Sequence, residues 1–262
     1  MSAEILVVRC GIVPYEEARE AQRRLAERRQ RDEIPDVLLL LEHPPVYTRG
    51  RRATADELPM GREWYEAQGI EVRDTDRGGR VTYHGRGQLV AYPIVSLTPY
   101  GDDVHEYVRR LERVMIGALA EHGVEAGLVE GLTGVWVGGD QQPSGRRAES
   151  TPYGREIGPS TSDGGGRKIG SIGVHVSRGV TTHGLAVNVN NDLQPFEWIV
   201  PCGIEGVAMT SLARELGAEQ DLNAFADTVV AHFAAVYDRA PVATAAADLG
   251  LELPPATLGL PR

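Results

Sequence analysis

Five consecutive apolar residues, Val37-Leu38-Leu39-Leu40-Leu41, stand between Asp36 and Glu42, with Pro35 just before them. So short and unbroken a run, closed by a charge at each end, predicts a strand buried on both faces. Upstream, the charged segment 14–31 predicts a helix: proline suits the first helical position, Tyr15, Ala18 and Leu25 give a thin apolar stripe, and Glu20/Arg24 and Glu27/Arg31 are spaced for ion pairs. Downstream, residues 102–122 carry the clearest amphipathic pattern. Val104, Tyr107, Val108, Leu111, Val114, Met115, Ala118 and Leu119 are expected to share one face, Asp102 or Asp103 is available as the cap, and Gly123 is the stop. Residues 221–237 predict another such helix, and 207–216 a short one closed by Gly217.

Strands are expected at 5–10, 89–97, 124–129, 134–138, 168–178 and 181–190, and a helical turn around Trp64. His43-Pro44-Pro45-Val46-Tyr47-Thr48 cannot continue a regular ladder and predicts a shaped loop. Residues 139–166 hold seven Gly, three Pro and four Ser among 28 positions and are expected to be a flexible insertion. The last stretch, 240–262, shows little pattern and is expected to be a disordered tail, leaving 1–239 as a single domain.

Charge narrows the function. Against 27 basic residues stand 37 acidic ones, a net charge of -10, which argues against a general nucleic-acid binder. The two cysteines form no CxxC pair, so neither a disulfide framework nor a metal site is expected; Cys10 is expected in a core strand. The start lacks a basic leader and no apolar run approaches the length of a membrane span, so a soluble cytoplasmic protein is expected.

Two stretches carry chemistry. In Trp198-Ile199-Val200-Pro201-Cys202-Gly203-Ile204 a cysteine sits between a proline, which fixes the incoming backbone, and a glycine, which tolerates close approach. Read alone, such a thiol is more often a buried, inert one. Upstream lies Lys168, at the head of the glycine-punctuated segment Lys168-Ile169-Gly170-Ser171-Ile172-Gly173. A free thiol, with a pKa near ~8.5, needs help to ionise at neutral pH. An ammonium ~4 Å away is worth up to ~4 kcal/mol at an effective dielectric of ~20, about three pKa units before desolvation. Lys168 is therefore the candidate partner, although strand-end lysines are commonly just solvated. His183, before Gly184, is the runner-up base. In the glycine-dense stretch 77–88, Val90 replaces the third glycine of a dinucleotide fingerprint and Walker A spacing is absent. That leaves a twisted hairpin or a close approach to a ligand.

Together these motifs resemble the lipoate-protein octanoyltransferases, which share a catalytic fold with biotin and lipoate ligases. The resemblance covers most of 36–217. It is carried by Leu41-Glu42-His43-Pro44-Pro45-Val46-Tyr47-Thr48, by Arg77-Gly78-Gly79 through Thr82-Tyr83-His84-Gly85 to Gly87-Gln88, by the Lys168 segment, by His183-Gly184-Leu185-Ala186-Val187-Asn188, and by Pro201-Cys202-Gly203. It implies an α/β (α+β type) fold with a mixed β-sheet and flanking helices. It also implies transfer of an octanoyl group from octanoyl-acyl carrier protein to Cys202, and then to a lysine of lipoyl domains in 2-oxoacid dehydrogenase complexes and of the glycine cleavage H protein. Lys168 is the matching partner. The family's acyl-binding positions fall on Arg77, Gly78, Gly79, Arg80, Val81, Thr82, Tyr83 and His84, on Ser171, Ile172 and Gly173, and on Gly184, Leu185 and Ala186. No cofactor, metal, nucleic acid or membrane is implied, and a monomer is expected. Arg86 stands where the family usually has proline. Arg49, Arg51, Arg52, Arg77, Arg80 and Arg86 are expected to form a basic rim for the acidic carrier. The alternatives are an ATP-dependent lipoate or biotin ligase, an amidotransferase moving octanoyl between lipoyl domains, and a non-catalytic acyl- or carrier-binding module.

Overall fold

A computed structural model describes residues 3–138, 166–200 and 207–253. The insertion at 139–165, Cys202 with its neighbours 201–206, and the terminal 254–262 lie outside the described residues. In chain order, the first half runs β1 (Ala3–Ile12), α1 (Tyr15–Gln30), β2 (Asp36–Glu42), β3 (Val46–Arg49), α2 (Arg62–Ala67), β4 (Glu71–Asp74), β5 (Val81–His84), β6 (Gln88–Ile94) and α3 (Val104–Glu121). The second half runs β7 (Val135–Val137), β8 (Arg167–Ser177), β9 (Val180–Asn188), α4 (Gln194–Glu197), α5 (Leu212–Leu216), α6 (Leu222–Tyr237) and β10 (Arg239–Ala243).

Among the described residues, seven strands form one mixed sheet in the order β10-β1-β2-β6-β9-β8-β7, and a smaller sheet has the order β4-β3-β5. β1 is parallel to both β10 and β2, while β2-β6, β6-β9, β9-β8 and β8-β7 are antiparallel. The central run behaves as its composition predicts, with every residue of β2 buried. Leu38 and Leu40 pack with Leu111, Met115, Phe225 and Phe233 of α3 and α6, whereas Val37, Leu39 and Leu41 pack with Ala18 and Leu25 of α1. Each such side chain, fully buried, contributes about 1.5–3 kcal/mol. A third cluster, including Tyr47, Tyr65, Tyr83, Phe196 and Ile199, joins the small sheet to the segment leading into Val200.

The helix signals hold at the level of single caps. Asp103 accepts from the amides of His105 and Glu106, Asp221 from those of Asn223 and Ala224, and Ser211 from that of Arg214. In α1 Arg23 bonds both Glu20 and Glu27, the second at i,i+4, in place of the expected Glu20/Arg24 and Glu27/Arg31 pairs.

Four expectations are corrected. The loop expected over 43–48 is loop only before Val46, because Val46–Arg49 pairs with β4 and β5. Val104, at the start of α3, is exposed and is not part of the buried face. Residues 240–243 are not a disordered tail: they pair with β1, and Leu249 and Leu251 beyond them are buried. β10 is an edge strand, so Pro241 forfeits little there and no alternation marks it. Its first residue, Arg239, also bonds Asp36 at 3.0 Å. The strand expected at 124–129 is replaced by bridge residues at Gly127 and Leu128, Gly127 lying opposite Trp136 of the three-residue β7.

Candidate active site

Lys168 owes its place to an irregularity in β8. Trp136 is opposite Lys168 but Val135 is opposite Gly170, so Ile169 is an extra residue, a β-bulge. Val135, Val137 and Ile169 all lie in the core under α3 and α6, and a side chain at Gly170 would run into Met115 of α3. The bulge therefore sends Lys168 to the opposite face, where its Nζ lies 5.2 Å from the centre of the Trp136 ring. Ser171 and Gly173 share that face, opposite Ala186 and Gly184 of β9, with Ile172 paired to Leu185 on the other side.

Lys168 is buried, at 3% exposure. Its backbone N–H donates to Ala208 O and its carbonyl accepts from Thr210 N–H, each at 2.9 Å. The chain that resumes at Val207 is thus laid along the lysine. Upstream of Cys202, Val200 N–H donates to Glu57 O at 3.1 Å. Cys202 itself, two residues beyond Val200 and six before Ala208, is outside the described residues.

The 77–84 segment is organised by a buried guanidinium. Arg77 donates to Thr48 O at 2.6 Å, Thr48 Oγ1 at 2.8 Å, Arg80 O at 2.8 Å and Gly78 O at 3.0 Å. Gly78 N–H then donates to Val174 O at 2.9 Å, joining this loop to β8. Gly173 is required at the join: a Cβ there would come within 2.9 Å of Arg77 Cδ and 3.1 Å of Gly78 O. Val81, Thr82, Tyr83 and His84 follow as a buried strand, with the Tyr83 ring against Tyr47 and Phe196. Gly79, at φ +90, adopts the left-handed backbone that glycine tolerates.

A polar chain connects His84 to the lysine's flank. Gln88 Nε2 donates to Asn188 Oδ1 at 2.9 Å and to Tyr83 O at 3.2 Å, so Gln88 Oε1 accepts from His84 Nδ1–H at 2.6 Å. Asn188 Nδ2 donates in turn to Thr210 O at 3.0 Å. The His84 tautomer is fixed with its lone pair on Nε2, and burial holds its pKa well below the ordinary histidine value.

The remaining candidates separate. His183, at φ +58, takes Gln22 Oε1 on its N–H at 2.6 Å and Asp76 Oδ1 on Nε2 at 2.9 Å. That histidine contact holds the Asp76 carboxyl below its usual range. His183 pairs with Val174, which the bulge at Ile169 leaves five ladder steps along β8 from Lys168, or about 17 Å at strand rise. It is an anchor for the 76–78 loop, too distant to serve as base for a sulfur beside Lys168. Cys10 lies buried in β1, its thiol pushed up to about 12 by desolvation. The basic rim contracts, because Arg77 is buried, Arg80 pairs with Glu57 at 2.6 Å and Arg49 pairs with Asp74 at 3.0 Å. Arg51, Arg52 and Arg86 are the exposed members.

Glu57 escaped the sequence reading. Buried at 1% exposure, it receives Val81 N–H at 3.0 Å and Arg80 on its carboxylate and Val200 N–H on its carbonyl, joining the acyl-binding candidates to the approach to Cys202. The available signal was Thr54 three residues earlier, the spacing of a capping box, whose hydroxyl reaches Glu57 Oε1 at 3.3 Å. Among the described residues, no three His, Cys, Asp or Glu side chains converge as metal ligands, and no helix is long and apolar enough to cross a membrane.

The family model of the lipoyl protein ligase A/B catalytic domain matches residues 14–234. An octanoyltransferase of Chloroflexus aggregans is 44% identical over 239 residues, 91% of this chain and 97% of that relative. One of Streptomyces coelicolor is 43% identical over 241 residues, 83% of this chain and 87% of the relative. Among solved structures, a bipartite lipoate protein ligase from Thermoplasma acidophilum superposes with a TM-score of 0.64 at 14% identity, covering 94% of this chain and 87% of that one, a likeness of fold.

Proposed function

Because the chain belongs to the octanoyltransferases of the lipoyl protein ligase A/B catalytic-domain family, we propose that it takes octanoyl from an acyl carrier protein thioester onto Cys202 and passes it to a lysine of a lipoyl domain. The observation that carries the reading is the bulge that turns Lys168 to the face shared by Ser171, Gly173, Gly184 and Ala186. In the first step Lys168 takes the Cys202 proton as the sulfur attacks the thioester carbonyl. A new C–S bond forms, the carrier's C–S bond breaks, and the carrier thiolate takes the proton from Lys168. In the second step the acceptor amine attacks, a C–N bond forms, Cys202 leaves, and the amine proton returns to the sulfur through Lys168. Exchange between thioesters is nearly balanced and the acyl-enzyme divides amide formation into two steps, so the reaction consumes no nucleotide. Backbone amides of the glycine-rich segments are suited to polarising the carbonyl as charge develops on its oxygen.

The fold is shared with ligases, so the decisive experiment omits ATP and magnesium. Octanoyl carrier and lipoyl domain are expected to give octanoylated domain without nucleotide; strict dependence on ATP would establish the ligase reading instead. Carrier docking is assigned to the exposed Arg51 and Arg52. Reversing both to glutamate is expected to raise KM for the carrier most strongly at low salt and to leave kcat unchanged, while a KM change independent of ionic strength would refute the assignment.

A further inference from the structure

We infer that Glu112 of α3 is a positioning residue for Lys168, an inference that rests on the catalytic role proposed for that lysine. Glu112 stands on the apolar face of its helix, between Leu111 and Val114, at 1% exposure. A carboxylate so buried is costly unless it is fully hydrogen-bonded. Its two oxygens have separate partners. Oε2 accepts from Arg109 Nη1–H at 2.7 Å, and Oε1 accepts from the backbone N–H of Gly134 at 3.0 Å.

Gly134 is the residue against which the lysine lies. With φ +105 it occupies backbone space that L residues rarely adopt. A Cβ at Gly134 would fall 3.0 Å from Lys168 Cε and 3.4 Å from Lys168 Nζ, and would collide with Gly170 O. The Gly134 backbone thus packs against the end of the lysine side chain, ahead of the first residue of β7, and the glutamate holds it from behind. The Trp136 ring approaches the same Nζ from two residues further on. The amine's position is therefore set by a wall whose first hydrogen bond goes to a side chain, and moving that acceptor moves the wall.

Geometry and charge separate in three variants. Glu112→Gln preserves the length and the acceptor for Gly134. Glu112→Asp preserves the charge but withdraws the acceptor by one methylene, and Lys168→Ala serves as the reference. In steady-state octanoyl transfer, Glu112→Asp is expected to lower kcat about 10–100-fold with KM for the octanoyl donor unchanged, as misplacement of a reacting group does. Glu112→Gln is expected to stay close to wild type. An aspartate variant with wild-type kcat, or a glutamine variant at least as impaired as the aspartate, overturns the inference; so does an aspartate loss that falls on KM rather than kcat. If Lys168→Ala keeps full activity, the catalytic reading of Lys168 has failed. If Lys168→Ala is inactive while Glu112→Asp is normal, only the role of Glu112 has failed.

Discussion

Replacing Lys168 by methionine is expected to lower octanoyl transfer roughly 10²–10⁴-fold, the range associated with loss of a positioned proton-transfer group. Methionine keeps an unbranched chain in the buried slot beside Trp136 but cannot accept or return a proton. The loss is expected in kcat, with donor affinity retained, because the positions proposed to face the acyl chain, Ser171, Gly173, Gly184 and Ala186, are held by the β8-β9 register and not by the ammonium. Single-turnover formation of the acyl-enzyme measures it directly. A variant acylating at the wild-type rate would remove Lys168 from the mechanism.

The largest effect on stability is expected at Arg77. Its guanidinium donates to the carbonyls of Thr48, Gly78 and Arg80, and of these Arg80 O also accepts from Gly50 N–H, so the other two depend on it most. Each acceptor orphaned in a buried place costs about 1–3 kcal/mol. With water rehydrating part of the loop, Arg77→Ala is expected to destabilise the protein by on the order of 3–5 kcal/mol. Arg77→Lys is expected to recover less than half, since one ammonium cannot span acceptors arranged for a planar fork. Urea denaturation compares the two, and a loss below ~1 kcal/mol for alanine would show that the loop is held by other means.

Arg77 also shows where sequence reading reaches its limit. An arginine beside two glycines is expected on a basic rim as well as among the acyl-binding positions, because a charged residue is ordinarily solvated; only the folded loop shows that the chain wraps around it. Glu57 and Glu112 were passed over for the same reason, their burial being compensated by amides remote in sequence. By contrast, β2 was legible because burial on both faces erases alternation, and α3 because its stripe and its Asp103 cap agree. Strict alternation along β8 would put Lys168 with Gly170 and Ile172, facing α3. The bulge at Ile169 reverses that side, and its cause is the pairing with β7, which no local pattern records. β10 was missed because an edge strand with proline lacks the periodicity that marks covered strands.

Intact-mass measurement of the enzyme mixed with octanoyl carrier, in the absence of nucleotide, tests the account most directly. Wild-type protein is expected to gain a single octanoyl group that disappears when a lipoyl domain is added, and Cys202→Ser is expected to gain none on that timescale. An adduct of the same mass forming at an undiminished rate in the serine variant would contradict a thioester at Cys202.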